Sequence, residues 1–145
     1  MRKFAYLMVA MAIVSCKNEP KDYVSIAGNI TDKNSDSVVI RSRTYSKTIP
    51  VNEDGSFSDT LKVETGEYSF YDGGESTSLF LKNGFDLAMT LDTKMFDESV
   101  KYTGNGAEHS NFLAEKSLLQ ERLLDLDQLM TLDSVAREEK FVSIK

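Results

Sequence analysis

The sequence predicts a mainly β protein: an antiparallel β-sandwich or partly open barrel of about seven to eight strands, followed by a C-terminal helical hairpin or connector. Three observations predict it. From Tyr23 to Thr103 apolar residues recur at every second position, the period of a half-buried strand. Turn residues interrupt that alternation at intervals too short for crossover helices. After Gly104-Asn105-Gly106 the apolar period lengthens to that of a helix.

Composition narrows the function. A chain of 145 residues is the size of one domain. Its 17 Lys+Arg against 23 Asp+Glu give a net charge of −6 and a pI near 4.8. That balance argues against nucleic acid as a partner, because such binding relies on clustered cations that neutralise phosphates. One Cys excludes an internal disulfide, a Cys-x-x-Cys pair and a multi-cysteine metal site. One His argues against a His-based catalytic or zinc site. The residues point to no cofactor, no metal and no catalytic set.

Residues 1–15 read as a signal peptide. Arg2 and Lys3 are followed by an apolar run from Phe4 to Val14, too short for the ~20 residues of a spanning helix. Ile13-Val14-Ser15-Cys16 resembles the bacterial lipobox, which implies that Cys16 is lipidated and becomes the new N-terminus, with residues 16–22 as lipidated N-terminus and linker. Cleavage would leave 15 basic against 23 acidic residues, a net charge near −8. Acyl chains hold a protein by apolar burial at about 0.8 kcal/mol per CH₂, so an acidic body is no obstacle to anchoring.

Residues 23–103 form the expected β-domain. Val24, Ile26, Gly28 and Ile30 alternate with polar or small residues, and Asn34-Ser35-Asp36 turns the chain into Val38-Val39-Ile40. Thr48-Ile49-Pro50-Val51 leads to Asn52-Glu53-Asp54-Gly55, a hairpin signal because its glycine takes φ > 0 without steric cost. Phe57, Asp59, Leu61 and Val63 share the face of the next strand. Tyr68 and Phe70, then Leu79 and Leu81, mark two strands around Asp72-Gly73-Gly74-Glu75. Phe85, Leu87, Met89 and Leu91 give the cleanest alternation, and Val100 with Tyr102 gives a short last strand.

Residues 104–145 read as a helical connector. Phe112, Leu119, Leu123, Leu126 and Met130 fall on one side of a helix, and Leu113, Leu118, Leu124 and Leu129 widen that stripe. A face this apolar is expected to pack on something. Thr131-Leu132-Asp133-Ser134 reads as a break with a new N-cap, opening a second helix from Val135 to Ile144. That helix meets the end of the chain without a terminator, the pattern of a truncated connector.

The order of these motifs resembles a known family. A lipobox ending in Ser15-Cys16, a strand from Tyr23 to Ile30 with Gly28, the Val51-Asn52-Glu53-Asp54-Gly55-Ser56-Phe57 hairpin, and Gly104-Asn105-Gly106 before Asn111-Phe112-Leu113 resemble the N-terminal β-domain of lipid-anchored TlpA-like thiol-disulfide oxidoreductases, in the thioredoxin superfamily. The resemblance covers essentially the whole mature chain. It implies a membrane-anchoring domain that is non-catalytic by itself, with a thioredoxin-fold domain carrying the Cys-x-x-Cys chemistry after the connector. It carries over one functional position, Cys16 as the lipidation site, and no catalytic, cofactor or metal residue. It places the chain in the cell envelope, and Lys17 after the Cys points to the outer rather than the inner membrane. The competing expectation is a free-standing envelope lipoprotein that binds a peptide, glycan or protein partner through a sheet face or edge strand.

Other features have simpler readings beside their functional ones. Gly104-x-Gly106 could cradle a phosphate, but a third glycine is missing and position 109 is His, so a strand-to-helix corner is expected. His109 could be a ligand or base, yet it lacks a second His or Cys partner and reads as a polar residue of the first helical turn. Asn52-Glu53-Asp54-Gly55 has calcium-loop ingredients without the distal Glu. Asp92, Asp97 and Glu98 could supply a glycosidase pair but read as surface carboxylates. Tyr68, Phe70, Tyr71 and Phe80 could form a sugar or peptide platform, with three of the four expected in the core. Arg41, Arg43 and Lys47 read as a solvated strand face.

Overall fold

A computed structural model describes residues 21–123 and 131–143. The signal core, Cys16, and the connector positions Leu124, Leu126, Leu129, Met130 and Ile144 lie outside the described residues. Eight strands are present among those described: β1 (Val24–Thr31), β2 (Ser37–Arg41), β3 (Ser46–Pro50), β4 (Ser56–Leu61), β5 (Gly66–Tyr71), β6 (Ser76–Leu81), β7 (Asp86–Asp92) and β8 (Lys101–Asn105). They form two four-stranded sheets in the orders β4-β1-β7-β8 and β3-β2-β5-β6, so the architecture is a sandwich and not a closed barrel.

The pairing is antiparallel with one exception. β1 and β7 run parallel, with Ile26 opposite Leu87 and Ile30 opposite Leu91. Between these two strands the chain builds the whole second sheet and adds β4 to the first, so β7 comes to lie beside β1 in the same direction. A parallel pair needs such a long connection.

Alternation decides which side chains fill the interior. Val24, Ile26 and Ile30, Phe57 and Leu61, Leu87, Met89 and Leu91, and Tyr102 face inward from the first sheet. Val38 and Ile40, Ile49, Tyr68 and Phe70, and Leu79 and Leu81 meet them from the second. Gly28 falls on the inward face where Phe57 is its cross-strand partner. A Cβ there would sit 2.5 Å from the Phe57 ring and 2.9 Å from the Met89 carbonyl oxygen. The missing side chain leaves room for the Phe57 ring, whose centroid lies 5.8 Å from that of Phe70. Asp59, on the same face as Phe57 and Leu61, lies at the margin and pairs with Lys47 of β3 at 3.1 Å.

The far-end turns are held by their own polar groups. Asp72 is 1% exposed, and its carboxylate accepts hydrogen bonds from the Gly74 and Glu75 amides and from Asn34 Nδ2. Three donors around one carboxylate make this buried acid a brace between two turns. A helical turn missed by the alternation follows β7: a 3₁₀ turn (Thr93–Met95) capped by Asp92, then helix α1 (Phe96–Ser99), which drops Phe96 into the core.

Helix α2 (Ala107–Leu123) closes one side of the sandwich and corrects the sequence reading of its face. Phe112 is 65% exposed, Leu119 56% and Leu123 40%. The side that packs carries Ala107, Ser110, Asn111 and Ala114 instead. The cause lies in β6 and β8, which are edge strands with outward N–H and C=O groups that need partners. The Ser110 hydroxyl accepts from the Phe80 amide at 3.0 Å and donates to the Phe80 carbonyl at 3.4 Å. Asn111 accepts from the Tyr102 amide through Oδ1 and donates to the Tyr102 carbonyl through Nδ2, both at 2.8 Å. Two adjacent side chains thus stand in for the missing strand on each sheet.

Helix α3 (Ser134–Ser143) begins one residue earlier than the sequence suggests. Asp133 is its N-cap, accepting from the Val135 and Ala136 amides. Val135 and Val142 are exposed on it.

Candidate binding groove at the start of helix α2

The strand-to-helix corner sets up the site. Gly104 and Gly106 have φ of 96° and 91°, left-handed values that favour glycine. A Cβ on Gly106 would collide with the Phe85 ring. The corner is therefore a steric device that seats Phe85 under the first turn of α2, and no phosphate cradle is needed to explain its glycines.

Phe85 begins a run of stacked rings. His109, in that first turn, stacks on Phe80 with ring centroids 5.2 Å apart and touches Phe85 at 5.8 Å. Its Nδ1 lies 3.4 Å from Glu108 Oε1. His109 thus acts as an aromatic wall beside a carboxylate. Together Glu67, Phe80, Glu108, His109, Phe112 and Leu113 line a groove of about 340 Å³. Its floor is aromatic and aliphatic, and its polar side chains are two carboxylates and one imidazole. Glu67 stands beside Phe80 because the two are cross-strand partners, and one of its oxygens accepts from Ser78.

A larger hollow of about 590 Å³ lies over the solvent face of the first sheet, lined by Ser25, Ala27, Ser58, Thr60 and Ala88 among others. Small side chains make the concavity, and its two carboxylates, Asp59 and Asp86, are each already paired with a lysine. Among the described residues no group of three or more His, Cys, Asp or Glu side chains could hold a metal ion. No helix among them is long and apolar enough to cross a membrane.

The remaining candidates separate. Asn52-Glu53-Asp54-Gly55 is a hairpin turn whose ligand atoms are spent on itself: the Gly55 amide donates to the Asn52 carbonyl, and Asp54 accepts from the Ser56 amide and hydroxyl. Asp92 caps the 3₁₀ turn, while Asp97 and Glu98 sit in the first turn of α1. Tyr68 and Phe70 are buried, but Tyr71 and Phe80 lie on the outer face of their sheet, so two of the four aromatics enter the core rather than three, and no common platform forms. Arg41 stands over the Tyr71 ring at 5.6 Å and Lys47 pairs with Asp59. Cys16 lies outside the described residues.

Sequence reasoning missed Ser110 and Asn111 as structural ties and Phe80 as a groove wall. Asn111 could have been noticed as an amide four residues into a helix that had to pass an edge strand.

The N-terminal end of the sandwich adjoins this groove. The Gly84 amide donates to the Tyr23 carbonyl, Ser25 donates to the Phe85 carbonyl, and Lys21 pairs with Asp86 at 2.6 Å. That contact holds the Asp86 carboxyl below the usual carboxylate range and the Lys21 ammonium above its own.

No family model matches the chain, and no curated protein matches it. Among solved structures, it is similar to a DUF3823 family protein from Bacteroides ovatus ATCC 8483, at 11% identity and a TM-score of 0.35. The match covers 48% of this chain and 42% of that one. The chain thus spans less than half of that protein's length.

Proposed function

We propose that the chain is the membrane-anchoring N-terminal domain of a TlpA-like thiol-disulfide oxidoreductase, non-catalytic by itself. The observation that carries the proposal is the uncovered apolar stretch of α2 beyond the groove, with Leu119 and Leu123 in solvent on a helix that is already fixed to the sandwich by its other side. A connector that must hold a second domain needs such a face. The sandwich would then act as a rigid base, set near the membrane by a lipidated Cys16. Five residue steps separate Cys16 from Lys21, a reach of about 18 Å when fully extended.

The chain has no thiol other than Cys16, and a thioether there would leave none free for disulfide exchange. Its contribution would be position rather than chemistry. A second reading, a free-standing envelope lipoprotein that binds a partner, is favoured by the groove at the start of α2.

A photo-crosslinking residue at Leu119 of the full-length protein, used in cells, tests the proposal. Adducts to a thioredoxin-fold segment bearing Trp-Cys-x-x-Cys are expected, together with a reading frame that continues past the Lys145 codon into that motif. A stop codon there, with adducts to unrelated proteins, would move the function to the second reading.

A further inference from the structure

We infer that the groove at the start of α2 is a docking site for a basic side chain of a partner polypeptide, a lysine whose apolar stem lies along Phe80, Phe112 and Leu113 and whose ammonium sits between Glu67 and Glu108. Three features of the groove point the same way. Its volume of about 340 Å³ is within the range of small-ligand sites, and its walls are mostly apolar. Its two charged side chains are both carboxylates, and neither Lys nor Arg lines it. Its aromatic wall is preorganised, because the His109 and Phe80 rings are already stacked and Gly106 seats Phe85 behind them.

Charge complementarity selects the occupant. An anionic side chain would meet two carboxylates with no Lys or Arg in the lining to offset them. A purely aliphatic one would cover the rings and gain nothing from the two carboxylates at the margin. A lysine satisfies both parts, since its four-carbon stem matches the apolar walls and its ammonium gains from carboxylate and ring face together. Phe112 is 65% exposed at the rim, a large apolar surface that a flanking segment of polypeptide would cover and a free amine would not. The inference needs the fold alone. It requires neither the lipid anchor nor a TlpA-like origin, and their failure would leave it standing.

The test uses the full mature chain with Cys16→Ala, kept free of detergent, and follows backbone amide shifts by NMR. The probes are acetyl-Leu-Lys-Leu-amide, the same peptide with norleucine or Glu at the centre, and n-pentylammonium. The lysine peptide is expected to shift the Glu108, His109 and Phe112 amides saturably. The norleucine peptide and n-pentylammonium are expected to bind about ten-fold more weakly, a difference of about 1.4 kcal/mol. The double variant Glu67→Gln, Glu108→Gln should erase the preference for lysine over norleucine, and Phe112→Ala should weaken both peptides together. Equal binding of lysine and norleucine peptides would overturn the charge recognition. Equal binding of n-pentylammonium would overturn the polypeptide partner. Preference for the Glu peptide, or no shift at these amides, would overturn the site.

Discussion

The two faces of α2 differ in the opposite sense from the one hydrophobicity suggests. The face against the sandwich is small and polar, carrying Ala107, Ser110, Asn111 and Ala114, while the face toward solvent carries Phe112, Leu119 and Leu123. An edge strand's unpaired backbone can therefore outrank apolar area in choosing a docking face. An unsatisfied buried N–H or C=O costs about 1–3 kcal/mol. Ser110 and Asn111 answer four such groups, two on Phe80 and two on Tyr102.

The sandwich interior sets the scale for testing that difference. Leu87→Ala is expected to destabilise by ~2–5 kcal/mol through lost burial and a residual cavity, whereas Thr90→Ala, on the exposed face of the same strand, should change little. Chemical denaturation of both variants checks this, and a larger cost for Thr90→Ala would mean that β7 faces the other way.

On the docked side of α2, Asn111→Ala should cost about 2–3 kcal/mol and Ser110→Ala about 1 kcal/mol, because each strands backbone groups of an edge strand. On the bare side, Phe112→Ala and Leu119→Ala should fall within about 0.5 kcal/mol of wild type. If the bare-side changes cost more than the docked-side ones, the comparison is reversed and α2 packs as hydrophobicity alone would have it.

Tyr102 sharpens the picture on the strand that Asn111 holds. Its hydroxyl is buried without a good hydrogen-bond partner, with Thr77 the nearby polar side chain, and burial pushes the phenol well above the usual tyrosine range. A raised folded-state value means that its contribution is intact below the unfolded value and lost as pH rises, so stability should decline above about pH 10. Tyr102→Phe should flatten that alkaline limb and be neutral or stabilising by up to about 1 kcal/mol at pH 7. A steep alkaline limb that survives in Tyr102→Phe would assign it to another group.

The smallest effect lies at the acid end. Asp22, Asp36, Asp54 and Asp86 are all held below the ordinary carboxylate range, Asp22, Asp36 and Asp86 first by a lysine partner and Asp54 by Ser56. Lowered folded-state values contribute stability at neutral pH that is lost as pH falls below about 4. These groups lie at the surface, so the loss should be shallow and should shrink in high salt for the lysine-paired ones. A salt-independent acid transition would contradict the assignment to the lysine-paired carboxylates.

The fold was largely legible because period two reports which face of a strand is buried, and that signal is local. Val24 through Ile30 and Phe85 through Leu91 carry it cleanly. The parallel partnership of β1 and β7 was not legible, since alternation identifies a face and not a neighbour. The Thr93–Ser99 turn escaped because it is held by Asp92 and Ser99 acting as caps over a few residues, too short for a period to develop. The hinge glycines, hairpin turns and His109's place in the first helical turn were readable from local chemistry. The groove was not, because Glu67, Phe80 and His109 come from three separate elements, and only the register of β5 with β6 and the tie of Ser110 to Phe80 bring them together.

Hydrogen exchange at the Tyr102 amide in the wild type, Asn111→Ala and Leu119→Ala shows which face of α2 holds the edge strand. Protection of that amide in the wild type and in Leu119→Ala, with a fall in Asn111→Ala that leaves the Met89 amide protected, is the result this arrangement requires. Unchanged protection in Asn111→Ala, or loss of protection in Leu119→Ala, would contradict it.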